Sequence, residues 1–234
     1  GGNVRTRIVA FELGRDTIDI GPSAILSPMD ADDLENNETV SIEVTNFGIE
    51  TQNTFDVGYI VNNGNAIIES VNYTLELDST YIHTFTPMVD MSTVGDYEFK
   101  VFTSLVDDES LLNDTLRRTI SKLPRWDAGI SDITGLEEAE CVSTIPISIV
   151  LTNFGTEVLT SVTVTVELNG GVLEVINWTG NLASGASENI NLDLNNLNNG
   201  INDIVVTTSS PNNTNDEIPV NDSFSRTFNA ITNG

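Results

Sequence analysis

The sequence is short of the residues that reactive and cross-linked sites use. Its 234 residues include one cysteine, Cys141, and one histidine, His83. An intrachain disulfide is therefore excluded, and we interpret Cys141 as a small buried apolar residue rather than a nucleophile. A zinc site built on several histidines is excluded as well, and we expect His83 on the surface of a strand. Phosphate-binding glycine loops and the Gly-x-Ser-x-Gly motif are also missing, so we expect a protein that is not an enzyme.

Basic residues are almost as scarce. Nine Lys and Arg stand against 35 Asp and Glu, which gives a net charge of −26. Nucleic acid is excluded as a partner because phosphate binding needs clusters of Lys and Arg, and anionic membrane surfaces are disfavoured for the same reason. The excess of carboxylates either serves solubility alone or is neutralised by divalent cations or high ionic strength. No membrane-spanning run or signal peptide is apparent, and we interpret the chain as a piece of a longer protein.

Aromatic residues make up only 6% of the chain, so a core would consist mainly of Val, Ile and Leu. Helix signals are nearly absent. Apolar and polar residues instead alternate with a period of two at residues 40–45, 97–102 and 162–168, which indicates half-buried antiparallel strands. Turn residues such as Asn-Gly and Gly-Asp separate these runs. The chain is therefore predicted to be all-β.

Three motifs occur twice, 107 or 108 residues apart. A repeat of this length indicates a duplicated domain rather than a solenoid unit. We predict one domain over 17–123 and a second over 124–234, with 1–16 as an N-terminal strand or the remnant of a preceding module. The recurring motifs are Asp19–Gly21 with Asp127–Gly129, Thr45–Gly48 with Thr152–Gly155, and Asp107–Asp114 with Asn215–Asp222.

Seven short strands are predicted in each copy, as in an immunoglobulin-like sandwich. The fold prediction is two tandem immunoglobulin-like (fibronectin III/CARDB-like) seven-stranded antiparallel β-sandwiches. Tyr97 stands where such folds carry a tyrosine corner, and copy two lacks a tyrosine there. The predicted strands lie near 19–26, 39–47, 54–62, 66–73, 79–87, 95–106 and 114–121, and near 127–134, 144–153, 160–169, 172–178, 186–194, 201–209 and 222–229.

The repeated Asn-Phe-Gly of both copies is interpreted as structural. The second strand would end there, the phenylalanine (Phe47 or Phe154) would cap the core, and the glycine (Gly48 or Gly155) would provide a positive φ.

Several segments together resemble the CARDB-like adhesion modules of secreted Bacteroidetes proteins. In copy one these are Ser27–Pro28, Glu38–Gly48 and Leu112–Asp114, and copy two matches through Ile149–Gly155 and Asn177–Leu182. The resemblance implies an immunoglobulin-like module in a large extracellular protein exported by the type IX system. It also implies a non-catalytic role beside other domains of the same polypeptide.

The repeated acidic motif is the strongest candidate for a binding site. It lies between the sixth and seventh predicted strands of each copy, and Asp19 and Asp127 begin the first strands at what we expect to be a similar level. Ca²⁺ takes carboxylate, amide and carbonyl oxygens, which such a loop supplies. The alternative is a solvated turn in which Asn and Asp favour the turn geometry. The predicted Ca²⁺ ligands are Asp107, Asp108, Asn113, Asp114, Asp216, Glu217, Asn221 and Asp222.

Two functions remain open at this point. The first is a structural spacer or stalk, or a cell-surface adhesin repeat, stiffened by Ca²⁺ and with a surface glycan or protein as a further partner. The second is a carbohydrate-binding accessory module of a secreted enzyme. Exposed aromatic residues would carry the sugar, and Trp126 and Trp178 are the two tryptophans. We expect Trp178 in the core and Trp126 packed at the junction between the copies.

Overall fold

The computed structural model describes residues 14–136 and 144–231, and all its long elements are β-strands. Contacts divide the chain into two compact units. The described part of unit 1 comprises 14–30 and 34–121, and that of unit 2 comprises 31–33, 122–136 and 144–231. Two expectations lie outside the described residues: the N-terminal strand at 4–13 and the buried position of Cys141. No helix in the described part is long and apolar enough to cross a membrane.

Unit 1 contains seven strands, each within a few residues of its predicted position. The prediction of an all-β fold is confirmed. The strands are β1 Ile20–Ser27, β2 Ser41–Asn46, β3 Gln52–Val61, β4 Ile67–Leu75, β5 Thr80–Thr84, β6 Gly95–Ser104 and β7 Thr115–Lys122.

Unit 2 repeats this series and adds a short 3-10 helix, Pro211–Asn213, before its last strand. Its strands are β8 Ala128–Thr134, β9 Ile145–Asn153, β10 Leu159–Leu168, β11 Gly171–Leu182, β12 Ser187–Leu194, β13 Gly200–Ser209 and β14 Ser223–Ala230.

Each unit consists of one three-stranded and one four-stranded antiparallel sheet. In unit 1 the sheet orders are β1-β2-β5 and β4-β3-β6-β7, and in unit 2 they are β8-β9-β12 and β11-β10-β13-β14. Immunoglobulin constant domains place their fourth strand in the sheet of the first strand. Here the fourth strand of each unit pairs with the third instead, so the sandwich has a 3 + 4 arrangement.

The core of each unit is aliphatic, as the composition predicts. Alternate residues of every strand point inward, for example Ile42 and Val44 in β2 and Val164 and Val166 in β10, all fully buried. Bringing these residues out of water supplies the main driving force for the sandwich, at about 25 cal/mol per Å² of apolar surface.

The Asn-Phe-Gly motif owes its repetition to asparagine rather than phenylalanine. Asn46 is fully buried, and its Nδ2 donates to the carbonyls of Glu50 (2.8 Å) and Leu75 (2.9 Å). Its Oδ1 accepts the Gly48 N–H at 3.0 Å. The asparagine therefore provides hydrogen-bond partners for three main-chain groups at the turn from β2 to β3. Asn153 makes the same three contacts in unit 2, with Glu157, Leu182 and Gly155.

The predicted role of the glycine in this motif was wrong in both copies. The predicted role of the phenylalanine was wrong for Phe154, whereas Phe47 is half-buried. Phe154 is 43% exposed, so it does not cap the core. Neither glycine has a positive φ. A side chain is excluded for another reason: a Cβ on Gly48 would lie 2.7 Å from Asp19 N and Thr17 O. A Cβ on Gly155 would likewise lie too close to the main chain before β8, at 2.5 Å from Arg125 O.

The tyrosine corner is present in unit 1, where Tyr97 Oη donates to Thr93 O at 2.9 Å. Unit 2 makes an equivalent hydrogen bond, from a side chain to a main-chain carbonyl four residues upstream, with a different residue. Asn202 is fully buried, and its Nδ2 donates to Asn198 O, again four residues upstream, at 2.8 Å. Copy two therefore lacks the tyrosine but keeps the tie.

Candidate functional site

Side chains of the acidic loop between β6 and β7 make hydrogen bonds to the main chain at the start of β1. Asp108 Oδ2 accepts the Ile20 N–H at 3.1 Å, and Oδ1 accepts the N–H of Ser110 at 2.9 Å. Glu109 follows with two contacts of its own: its N–H donates to Ile18 O at 2.9 Å, and its carboxylate accepts the Thr17 N–H at 2.7 Å. The carboxylates thus act as acceptors for main-chain donors next to β1.

Two further contacts complete this junction. Asn113 Nδ2 donates to Asp19 Oδ1 at 2.7 Å, which ties the residue before β1 to the loop before β7. Thr103 Oγ1 donates to Ile20 O at 3.3 Å from within β6. Gly21 lets the loop come this close, because a Cβ there would lie 2.6 Å from Asn113 O.

Unit 2 builds the same junction with the corresponding residues. Asp216 accepts the N–H groups of Ala128 (2.9 Å) and Ile218 (2.8 Å). Asn221 Nδ2 donates to Asp127 Oδ1 at 2.8 Å. We call each arrangement a strand clamp, and it comprises Asp19, Asp108 and Asn113 in unit 1 and Asp127, Asp216 and Asn221 in unit 2.

Sequence reasoning missed one pair of residues in this junction. Thr208 Oγ1 donates to Ala128 O at 2.6 Å, as Thr103 does to Ile20 O in unit 1. A signal was available, because Thr-Ser ends both β6 and β13. Both threonines fall within predicted strands, near 95–106 and 201–209, and no further role is predicted for them.

The contacts also show that the first and last strands of each unit run in the same direction. In unit 2 the Asn221–Asp127 contact is followed, five residues further along both strands, by a 2.8 Å contact of Arg226 with Asp132. In unit 1 the guanidinium of Arg118 in β7 donates to a main-chain carbonyl of β1 at 3.4 Å. The two strands therefore lie side by side from the clamp onward.

Carboxyl groups are crowded and partly buried at both clamps. Burial, followed by the carboxylates of Asp108 and Asp19, raises the pKa of Asp114 to about 6. Burial and the carboxylates of Asp216 and Asp127 raise the pKa of Asp222 to about 6 as well. The first aspartates of the clamps follow the same direction, since burial raises the pKa of both Asp19 and Asp127.

The predicted Ca²⁺ ligands do not all converge. Asp108, Asn113 and Asp114 meet around Asp19, whereas Asp107 is exposed in a left-handed turn conformation (φ 62°). In unit 2 the convergent group is Asp216, Asn221 and Asp222 around Asp127, while a carboxylate oxygen of Glu217 accepts the Arg125 N–H at 2.5 Å.

Within the ranges that the structure describes, no group of three or more His, Cys, Asp or Glu side chains is arranged to hold a metal ion. Both oxygens of Asp108 and of Asp216 already accept main-chain N–H groups. The Oδ1 atoms of Asn113 and Asp114 are nevertheless buried without a hydrogen-bond partner, and those of Asn221 and Asp222 repeat this. The Ca²⁺ site stays a prediction.

His83 does not lie on the sheet surface, contrary to our expectation. It is 9% exposed and packs edge-to-face on Phe85 at 4.6 Å between ring centroids. Its Nε2 lies 2.8 Å from Glu69 Oε2. Burial would raise the pKa of Glu69, but hydrogen bonds from the Thr86 N–H and from His83 outweigh burial and hold that pKa below its usual value. The only histidine thus belongs to the core of unit 1.

The two tryptophans do not form a sugar-binding platform. Trp178 is 8% exposed and belongs to the core cluster of unit 2, as expected. Trp126 is half-buried, with the Arg125 guanidinium 5.7 Å from its ring centroid, and its carbonyl accepts the Glu217 N–H at 2.9 Å.

No protein-family model matches the sequence, and no curated protein matches it either. Among solved structures, a CARDB domain from Pyrococcus furiosus, solved in complex with di-metal ions, aligns with 47% of this chain and 90% of its own (17% identity, TM-score 0.39). The calcium binding domain CBD12 of CALX1.1 aligns with 82% of this chain and 79% of its own (12% identity, TM-score 0.39).

Fibronectin(III)-like modules of Clostridium thermocellum CbhA align with 89% of this chain and 94% of their own, at 12% identity and a TM-score of 0.30. These scores are low. The assignment to two sandwiches of immunoglobulin-like type therefore rests on the strand order and pairing of the chain itself.

The raised pKa of Asp114 and Asp222 predicts that both clamps weaken as the pH rises. The folded protein keeps these protons up to about pH 6, whereas the unfolded chain releases them near the usual aspartate pKa of about 4. Between these values the folded state binds more protons, so this contribution to the free energy of unfolding falls as pH increases. Above about pH 7 the double variant Asp114→Asn/Asp222→Asn, which cannot ionise, should melt higher than the unmodified protein.

This difference in melting temperature should shrink steadily as the pH is lowered from about 6 to about 4, because only below about pH 4 are these side chains uncharged in both the folded and the unfolded state of the unmodified protein. Thermal melts in chelator across this range measure it. A difference that does not change with pH would contradict the assignment of raised pKa values to the clamps.

Proposed function

We propose that the chain forms non-catalytic tandem sandwich modules of a larger extracellular bacterial protein, and that they act as spacers or adhesin repeats under tension. The observation that carries this proposal is the strand clamp, which both units build with the same residue types and contacts. A feature kept in both copies, at the strand where the chain enters each unit, supports a role in holding the module together.

The direction of the terminal strands explains why such a clamp would matter. A pull on the two ends of a module acts on the start of the first strand and on the end of the last strand. Because these two strands run in the same direction, the pull slides them past each other along their length. All lateral contacts between them must then break together, rather than one after another as in a peeled hairpin. In unit 1 these contacts include Asn113–Asp19 at one end and Arg118 with the β1 carbonyl further along. This shear geometry supports a spacer that transmits force.

Single-molecule pulling tests this function. Asp108→Ala leaves the N–H groups of Ile20 and Ser110 without acceptors and should lower the free energy of unfolding of unit 1 by about 2 kcal/mol. It should also lower the unfolding force of that unit while leaving the force for unit 2 unchanged.

The matched control is Val71→Ala in β4, a core strand that is neither first nor last. Its lost burial should reduce chemical stability by about 2 kcal/mol as well. Because β4 lies away from the sheared strands, the unfolding force should change much less. Equal loss of force in both variants would mean that the clamp has no mechanical role.

We also propose that Ca²⁺ binds near the clamps and stiffens the modules. Two buried oxygens without partners in each unit support it, Oδ1 of Asn113 and Asp114 in unit 1 and Oδ1 of Asn221 and Asp222 in unit 2. Ca²⁺ takes about six to eight oxygen ligands, so main-chain carbonyls or water would have to supply the others. The ion would neutralise carboxylates that otherwise repel one another.

A melt with Ca²⁺ titrated into chelator-treated protein tests the cation separately. A ligand at about 100 times its dissociation constant adds about 2.7 kcal/mol to the folded state, so the melting temperature should rise with dose. Asp114→Ala/Asp222→Ala should abolish the rise, and Asp107→Asn, at an exposed position, should keep it. A melt that Ca²⁺ does not shift would overturn the proposed cation and leave the clamps and the spacer proposal standing.

A further inference from the structure

The outer face of the four-stranded sheet differs sharply between the two units. In unit 1, Gly58 of β3 is paired with Phe102 of β6. The corresponding pair in unit 2 is Thr165 of β10 with Thr207 of β13, two residues of ordinary sheet-surface type. The clamps are the same in both units, whereas this face is one of the places where the duplicated modules have diverged.

Gly58 and Phe102 form a flat aromatic surface. Phe102 points to the outside of the sandwich, yet Gly58, its neighbour on the same face, is buried. The ring itself provides this cover, because a Cβ on Gly58 would overlap Phe102 ring atoms. The glycine thus lets the ring lie down on the sheet instead of standing out from it. Ile68 of β4, paired with Gly58 and 56% exposed, extends the apolar surface.

Two positive charges on this face have no carboxylate partner. Lys100 Nζ lies 5.9 Å from the Phe102 ring centroid, and Arg117 of β7 lines the same shallow groove of about 210 Å³ as Lys100. Within residues 14–136 and 144–231 neither makes an ion pair or a hydrogen bond. Unit 2 has Val205 and Ser225 at the corresponding positions.

Unpaired cations are unexpected in this chain. Arg15, Arg125 and Arg226 each pair with a carboxylate. Arg118 and Lys122 donate to main-chain carbonyls. Carboxylates outnumber basic residues 35 to nine, so a cation has many chances of a partner. Only Lys100 and Arg117 of the described basic residues are left. Both line one groove, and Lys100 lies beside the Phe102 ring.

We propose that this face of unit 1 binds a uronic acid, a sugar with a carboxylate, within an anionic polysaccharide. The C–H face of the sugar ring would stack on Phe102, and its carboxylate would lie between Lys100 and Arg117. Charge-assisted hydrogen bonds to two cations would fix the orientation of the sugar. A glycan fits better than an acidic peptide because the ring offers a flat stacking surface and no pocket for a side chain.

The rest of the face suits sugar hydroxyls. Thr54, Asn72, Thr115 and Thr119 are exposed, uncharged hydrogen-bonding side chains on three of its four strands. Glu98 is the one carboxylate that lines the groove. It would accept hydrogen bonds from hydroxyls, and it would repel a ligand whose carboxylate lies on the wrong side. The face therefore combines stacking, two cations and polar contacts, the combination that a charged sugar requires.

Titration calorimetry on the whole chain with a galacturonic acid trisaccharide tests the proposal. Binding is expected, and it should weaken as salt is added because the two cations are exposed to solvent. Phe102→Ala should reduce the affinity by roughly tenfold, the loss of one stacking contact. Lys100→Gln and Arg117→Gln should each weaken binding too. Thr207→Ala, the matched change on unit 2, should have no effect.

Two further ligands decide the class of partner. The carboxyl-reduced trisaccharide should bind much more weakly, and an oligo-glutamate of equal charge should not bind detectably. Binding of oligo-glutamate that survives Phe102→Ala would overturn the glycan in favour of an acidic protein segment. Absence of trisaccharide binding, or equal binding of the reduced sugar, would also overturn the proposal. Unchanged melting of Arg117→Gln excludes misfolding as the cause of a loss.

This proposal goes beyond the spacer function and does not depend on it. Pulling experiments report on the strand clamps, and no clamp residue lines the groove of Lys100 and Arg117. Sugar binding could therefore fail while the spacer function holds, and the reverse.

Discussion

The structure of both units depends on giving the main chain at the start of the first strand its hydrogen-bond partners. A buried main-chain N–H without an acceptor is costly, and β1 and β8 are edge strands with no neighbouring strand on one side to supply one. Asp108 and Asp216 supply it from a loop about 88 residues later. That contact fixes the end of the loop, the start of the last strand and the close approach at Gly21 and Gly129.

The same contact explains part of the unusual charge. Aspartates that serve as main-chain acceptors must be gathered in one place, and burial there raises the pKa of Asp114 and Asp222 to about 6. Each aspartate added to the loop supplies a hydrogen-bond acceptor, but it also brings another negative charge close to the other carboxylates. Two ways to relieve the repulsion are a retained proton and a bound cation, and both would be sensitive to solution conditions.

Much of the fold was predictable from sequence because its determinants are local. Period-two alternation and turn residues indicated all fourteen strands, and the repeat indicated that one fold would serve twice. The pairing of the fourth strand with the third was not predicted, because sheet membership depends on contacts between distant strands. Tyr97 was recognisable as a corner residue, whereas Asn202 was not, since its tie depends on full burial rather than residue type.

The candidate site was predicted in part for the same reason. Repetition marked the acidic loop and the aspartates before the first strands. The sequence did not show that both carboxylate oxygens of Asp108 and Asp216 would accept main-chain N–H groups. These hydrogen bonds form only when the loop and the first strand are folded against each other. His83 was placed on the wrong side of its strand because β5 is short, and its alternation gives little evidence of which face is inward. The face around Phe102 was not predicted because its members lie on four different strands.

Amide hydrogen exchange at the two first-strand donors tests the central claim most directly. The account predicts that the N–H groups of Ile20 and Ala128 exchange slowly, and that Asp108→Ala speeds exchange at Ile20 on the order of thirty-fold, the loss of one buried acceptor. Exchange at Ala128 should not change, because Asp216 still holds it. If Ile20 exchanged at the same rate with and without the Asp108 carboxylate, the carboxylate would not be what holds the first strand, and the account would be contradicted.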